Sequence, residues 1–333
     1  MYEFLGICLV LAALLTINAL ASLLAAAGWR LLDPLTRAWS PRSRSEILFA
    51  LRLGPFTFAV LAVALFLIPS YLSYEPHSTP EMVSKKLAGL ALVSGAGVMF
   101  AGWRFIRTWL ATHRLLREWL LSARPMMAPG IDIQTFCMPH AFPIIAVVGT
   151  VRPRLFIAER VLQTLTEQEL AAAIAHECGH LEARDNLKRL WLRMCRDLLM
   201  IFPSGRSLDR AWAESAESAA DEHAVHQDGD MALNLAAALI KIAKMIPPGS
   251  RAFTPVAAFL VGVEETAGVK SRVRRLLDIA SNGLKSRSKQ NRIRRIAPAL
   301  TLILTLIFAA AATSPHVLIT VHALVENAVK LLS

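Results

Sequence analysis

Leu5 to Ala27 is a run of 23 residues without a charge, and it limits the fold more than any other stretch. In lipid every backbone N–H and C=O must find a partner within the segment, so about 20 consecutive apolar residues cross as a helix. Three further uncharged runs follow: Leu53 to Tyr74, Leu87 to Trp103 and Ile296 to Thr313. The last two hold 17 and 18 residues, near the lower limit for a span. Pro298 stands near the start of the fourth run, where a helix tolerates proline. Gly89, Gly95 and Gly97 in the third allow close helix packing in lipid. The competing reading, helices buried in a soluble core, fits poorly. The chain is 55% hydrophobic and only 18% charged, with a mean hydropathy of +0.46, more apolar than a soluble domain. A secretory signal would place basic residues ahead of the first run, whereas only Met1 to Phe4 precede it. A retained helix is the expectation, although Ala25 to Ala27 mimics a cleavage site.

The loop charges orient the spans. Arg30, Arg37, Arg42, Arg44 and Arg52 lie between the first two runs, and Arg104, Arg107, Arg114, Arg117 and Arg124 follow the third. Lys285, Arg287, Lys289, Arg292, Arg294 and Arg295 precede the fourth. Between the second and third runs only Lys85 and Lys86 face Glu75 and Glu81. The positive-inside rule then puts the N-terminus outside, residues 104 to 295 in the cytoplasm and the C-terminal tail outside, with Trp29, Trp103 and Trp109 at interface depth. The expected division is three spans in residues 1–110, a soluble domain in 111–290 and the fourth span with a short tail in 291–333. Ser281 to Arg295 reads as a basic linker lying near anionic headgroups. The net charge of +11 therefore points to a lipid bilayer as partner. No nucleic-acid-binding motif is present. Cys8, Cys137, Cys178 and Cys195 form no CxxC pair, which fits reduced thiols and a reducing compartment.

The chemistry concentrates in one helix. Thr166-Glu-Gln-Glu169 is a capping box, and good helix formers follow it into Ile174-Ala-His-Glu-Cys-Gly-His180. Residues four apart share a helix face, so His176 and His180 can bind one metal ion while Glu177, one step round, can reach a metal-bound water. Gly179 costs a mid-helix position about 1 kcal/mol relative to alanine, which calls for a reason such as close approach of another backbone segment. A catalytic zinc takes three protein ligands and keeps one position open. Ala211 to His226 is helical in composition and sets Glu217 and Asp221 on one face. Glu217 can supply the third ligand, Asp221 can accept an N–H from a ligand histidine, and Glu214 is the rival ligand; a plain solvated face is the alternative.

Other features carry less. Ala141 to Val148 and Arg154 to Ala158 read as strands around a Gly149–Pro153 turn. That hairpin is either structural or an edge to which a peptide strand adds. Asp185 either braces the zinc helix or makes a surface salt bridge, and Asp230 to Ile246 reads as a packing helix. His223 and His226 are surface residues or oxyanion partners, and His113 and His140 are not expected as ligands.

With LTEQELAAAIAHECGHLEARD, ESAAD and KSRVRRLL at 270 to 277 in view, the chain resembles the membrane-integrated zinc peptidases of the BlaR/MecR antibiotic-sensing type and, relatedly, the HtpX and CAAX prenyl protease type. The resemblance covers roughly residues 125 to 280. It implies a mainly α membrane protein of about four transmembrane helices with a cytoplasmic α+β, gluzincin-like peptidase domain. It implies Zn2+ on His176, His180 and Glu217, Glu177 as catalytic base and Asp221 supporting a ligand. The span order looks most like the BlaR/MecR type, yet Ser314 to Ser333 leaves room only for a short amphipathic helix where those receptors carry a sensor. The expected activity is metalloendopeptidase hydrolysis of cytoplasmic or membrane-proximal proteins at a bacterial inner membrane, in regulated signalling or membrane-protein quality control. The alternative is a catalytically silent zinc-binding membrane receptor or scaffold.

Overall fold

The computed structural model describes residues 2–76, 83–128, 131–197, 204–226, 230–246, 266–283 and 306–332. Helix α1 spans Tyr2–Thr36, and α2 spans Pro41–Ala62. The start of α2 is fixed by Ser40, whose hydroxyl accepts from the Ser43 amide at 3.3 Å, and by Pro41 in the first turn. α2 continues through a π-helical turn, Val63–Leu67, into α3, Ile68–Tyr74. Pro69 explains the widening: it offers no N–H to Leu65, and its ring crowds that carbonyl. Helix α4 spans Lys85–Ser122 and is capped by Ser84.

Among the described residues three helices are long and apolar enough to cross a membrane, Tyr2–Thr36, Pro41–Tyr74 and Lys85–Ser122, or four if the bent pair at residues 306–331 is one span. Their exposed leucines and methionines, among them Leu24, Leu31, Leu92 and Met99, form the outer surface that lipid would cover. The third uncharged run does not end its helix at Trp103. α4 continues to Ser122, well past the division placed near residue 110 in the sequence. Most of the fourth run lies outside the described residues. Its end forms α11, Leu306–Ala312, bent by 73° from α12, which spans Pro315–Leu332. α12 returns onto the spans, where Ser70 donates to the Leu318 carbonyl at 2.8 Å.

A small sheet follows α4. Strands β1 (Arg124–Met126), β2 (Thr135–Met138), β3 (Ile145–Val148) and β4 (Arg154–Ala158) lie in the order β1-β2-β4-β3. β2 and β4 are parallel, and the two outer pairs are antiparallel. β3 and β4 lie within the stretches read as strands from the sequence. β1 and β2, three and four residues long, gave no such signal. Gly149, at φ 109, makes the turn after β3.

The helices α5 (Glu159–Thr164), α6 (Glu167–Ala183), α7 (Asp185–Asp197), α8 (Ser204–Val225), α9 (Met231–Met245) and α10 (Thr266–Asn282) complete the domain. One core joins the sheet to α6, α9 and α10 through Ile145, Phe156, Ala172, Leu235, Leu239 and Leu276. A second joins membrane and domain: Trp29 of α1 and Leu48 of α2 pack with Leu192 of α7 and with Leu208, Trp212 and Ala216 of α8.

Candidate metal centre

Helix α6 starts on the expected capping box. The Thr166 hydroxyl accepts from the Glu169 amide at 3.3 Å, and the Glu169 carboxylate accepts from the Thr166 amide at 2.8 Å. The helix runs between β3 and α8, so its central turn is fully covered: His176 and Glu177 are buried, and His180 is 5% exposed. Arg184 closes it in the left-handed conformation, at φ 54. Gly179 has the reason the sequence asked for. A Cβ there would stand 2.9 Å from the Ala220 Cα and 3.1 Å from the His223 Cβ. The missing side chain lets α8 approach, and α8 brings Glu217 over the two histidines.

His176, His180 and Glu217 form a group able to hold a metal ion, with ligand atoms all within 4.8 Å of one another. Glu217 spans the pair: Oε2 is 3.6 Å from His176 Nε2, and Oε1 is 3.5 Å from His180 Nε2. The far nitrogens are held by carboxylates. His176 Nδ1 lies 3.0 Å from Asp221 Oδ1, and His180 Nδ1 lies 2.7 Å from Asp185 Oδ2. An N–H donated at Nδ1 leaves the Nε2 lone pair for a metal. Asp185 is 3% exposed, so of the two sequence readings the brace holds and the surface salt bridge does not.

Two arginines hold the carboxylates. Arg272 of α10 forks onto Asp221 at 2.5 and 3.0 Å and reaches Glu217 Oε2 at 3.1 Å. Arg189 of α7 donates to Glu217 Oε1 at 3.1 Å. Burial alone would raise the Asp221 pKa; Arg272 and His176 outweigh it and hold the carboxyl at about 2. Burial likewise opposes ionisation of Glu217, and His180, His176 and Arg272 keep its carboxyl well below the usual range. Burial lowers the His180 pKa, but Glu217 and Asp185 overcome it and push it to about 10.

Glu177 is different. Burial dominates and raises its pKa, against the neighbouring histidines and one backbone donor. That donor is the Val147 amide, 3.1 Å from Oε2. Among the described residues, the buried Oε1 has no hydrogen-bond partner. Val147 lies opposite Leu155 of β4, and the Leu155 amide donates to Gln134 instead. The polar groups of Val147 therefore point off the sheet edge. Its carbonyl accepts from Asn186 Nδ2 at 2.7 Å.

Glu214, the rival ligand, is exposed and outside the metal group. His223 faces Glu182 at 3.3 Å, and His226 bonds the Glu222 carbonyl. His113 sits against Trp109, and His140 against Trp119 and Phe142. Arg189, Arg272 and Asn186 gave no sequence signal of their own; Arg272 stood inside the quoted KSRVRRLL without a role.

The donor set fits zinc: two imidazoles and one carboxylate leave a position open. Among the described residues the buried Glu177 Oε1 makes no hydrogen bond, as expected of an atom shaped for a ligand not made of protein. No curated protein matches this chain. Residues 144–316, more than half of the 333, match the peptidase family M48 and include both motifs and α10. On that match, carried over the helices that bring His176, His180 and Glu217 together, the chain belongs to peptidase family M48.

Proposed function

We propose that the chain is a zinc-dependent metalloendopeptidase anchored in a bacterial inner membrane, with its active site on the cytoplasmic side. The observation that carries this reading is the cluster of buried His176 and His180 with half-buried Glu217, beside Glu177 Oε1, which has no partner among the described residues. The chemistry the ion supplies is Lewis acidity, which polarises a scissile carbonyl and acidifies a water. Glu177 Oε1 takes the proton of the attacking water and delivers it to the leaving amine nitrogen. A carboxyl raised by burial suits that exchange better than an ordinary one. Asp221 and Asp185 fix the tautomers of His176 and His180, and Arg272 holds Asp221 ionised.

A substrate backbone would add along β3, the edge of the sheet. There it must replace Glu177 and Asn186 as partners of Val147. Substrate binding then frees the base from the strand. The orientation is supported by the arginines flanking the spans under the positive-inside rule, of which Arg42 and Arg52 bond Glu182 and Asp209 of the peptidase domain. The work divides between three spans in residues 1–110, the peptidase domain in 111–290 and a fourth span with its tail in 291–333, α4 running through the first boundary. Substrates are cytoplasmic or membrane-proximal proteins, in the manner of signalling or quality-control peptidases of the BlaR/MecR or HtpX type.

Metal analysis of the purified chain beside His176→Ala and Glu217→Ala tests the site. About one zinc per chain is expected, lost in both variants. Glu177→Gln should keep the metal and lose roughly 100-fold or more in peptide hydrolysis. A wild-type chain that takes up no zinc would sink the reading. A Glu177→Gln chain that retains full biological function would put the silent scaffold in its place.

A further inference from the structure

The helix of the second candidate span, α2, does more than anchor the domain. Arg42, Phe49 and Arg52 lie along one stripe of α2, seven and three residues apart, and each grips a different helix of the metal centre. Arg42 donates to Glu182 of α6 at 2.8 Å, and Glu182 in turn faces His223 of α8 at 3.3 Å. Phe49 takes Lys188 of α7 over its ring at 5.9 Å. Lys188 lies 3.9 Å from Asp185, the residue that holds His180. Arg52 donates through Nε to Asp209 of α8 at 2.9 Å.

The last contact is the most committed. Arg52 is 5% exposed and stands immediately before the uncharged run that begins at Leu53. A buried guanidinium is tolerated only when paired. The neighbouring helix is shaped to receive it: a Cβ on Gly205 would stand 3.1 Å from Arg52 Nη2, so α8 presents a bare backbone at that point. Above the pair, Leu48, Trp212 and Ala216 are almost fully buried together. Ala216 is adjacent to Glu217 in the chain. A rigid helix thus connects the Arg52–Asp209 pair to the third ligand across eight residues, about 12 Å.

We infer that Arg52 is a positioning residue for the metal centre. Its pairing with Asp209 sets how α8 presents Glu217 to His176 and His180, so the geometry of the site depends on a residue at the membrane end of a spanning helix. This rests on the zinc reading above and extends it. α6 has its own support in the sheet core, whereas α8 is held against it by clamps from other helices, Arg272, Arg189 and, from α2, Arg52. A shift of α2 relative to the domain would change the distance from Glu217 to the histidines without touching any ligand.

The test uses the full-length chain in detergent, with zinc affinity read by chelator competition and cobalt substitution read by its visible absorption. Arg52→Met should bind zinc about tenfold more weakly, the scale of lost support for a ligand, and should shift the cobalt band. Arg52→Lys, which restores a charge without the fork, should recover part of both. Zinc affinity and a cobalt spectrum equal to wild type in a folded Arg52→Met chain overturn the proposal. Should that variant fail to fold, Asp209→Asn replaces it. A several-fold loss of zinc affinity is then expected, and wild-type values overturn the proposal. A wild-type chain that binds neither metal refutes the zinc reading itself, an outcome distinct from a site that binds normally without Arg52.

Discussion

The two helices that form the metal group are held in opposite ways. α6 gives His176 and His180 and is fixed by its own neighbourhood: a capping box at Thr166 and Glu169, a left-handed cap at Arg184 and the Asp185 brace on His180. α8 gives Glu217 and Asp221 and is fixed from a distance, by Arg272 from α10, Arg189 from α7 and Arg52 from α2. Local bonds form as soon as the helix does. The distant arginines act only once their helices have packed, Arg272 and Arg189 from within the domain and Arg52 from α2, so the carboxylate side of the site is the one that tertiary assembly controls.

If that contrast is right, the largest loss comes from removing a distant clamp. Arg272→Met leaves Asp221, 1% exposed, with the His176 imidazole 3.0 Å away but without the guanidinium that balances its charge. Breaking a buried pair costs about 3 kcal/mol or more, so the variant should melt well below wild type and retain little zinc. An unchanged melting temperature would mean that Arg272 is incidental. A smaller loss comes from separating the two helices. Gly179→Ala adds a methyl 2.9 Å from the Ala220 Cα, a backbone atom that cannot step aside. Overpacking of about 1–3 kcal/mol should exceed the helix-propensity gain of about 1 kcal/mol and weaken zinc retention. Stabilisation by this alanine would show that α6 and α8 have room to spare.

What could be read from the sequence follows the same line. The capping box, the His176–His180 face, the tight approach at Gly179 and the β3–β4 hairpin all depend on residues close in sequence, and each stands where its spacing placed it. Spacing alone left Glu217 and Glu214 as rival third ligands, and the structure leaves Glu214 exposed. Arg272 was not legible, because nothing local tells which of Arg272, Arg274 and Arg275 turns inward; Arg275 bonds Glu222 and the Ser218 carbonyl instead. β1 and β2 are too short for a period-two pattern to show. The length of α4 was hidden because an uncharged run marks where lipid ends, not where the helix does.

Asp185→Asn sharpens the comparison from the local side. The amide keeps an acceptor for His180 Nδ1 but loses the charge that, with Glu217, raises the affinity of that ring for positive partners. Zinc should bind about tenfold more weakly while the melting temperature moves little, because the fold around α6 does not rely on it. A large fall in stability would mean that the α6 side, too, depends on charge pairs for folding.

The smallest expected effect lies at the far end of α6 and isolates the fold from the site. Glu169 is buried, which alone would raise its pKa, yet its hydrogen bonds with Lys241 and the Thr166 amide prevail and lower it from 4.5. A carboxyl with a depressed folded pKa adds stability that is complete above the pH where the unfolded glutamate titrates, near 4.5, and is lost as pH falls through the lower folded value. Glu169→Gln should therefore cost about 1 kcal/mol at neutral pH, the usual worth of a cap, and the gap to wild type should close in acid below that range. Zinc content at neutral pH should match wild type, since Glu169 starts the helix two turns before His176. A variant that loses zinc along with its cap would show that α6 is positioned from its N-terminus, and the local half of the site would then be as dependent on remote contacts as the other.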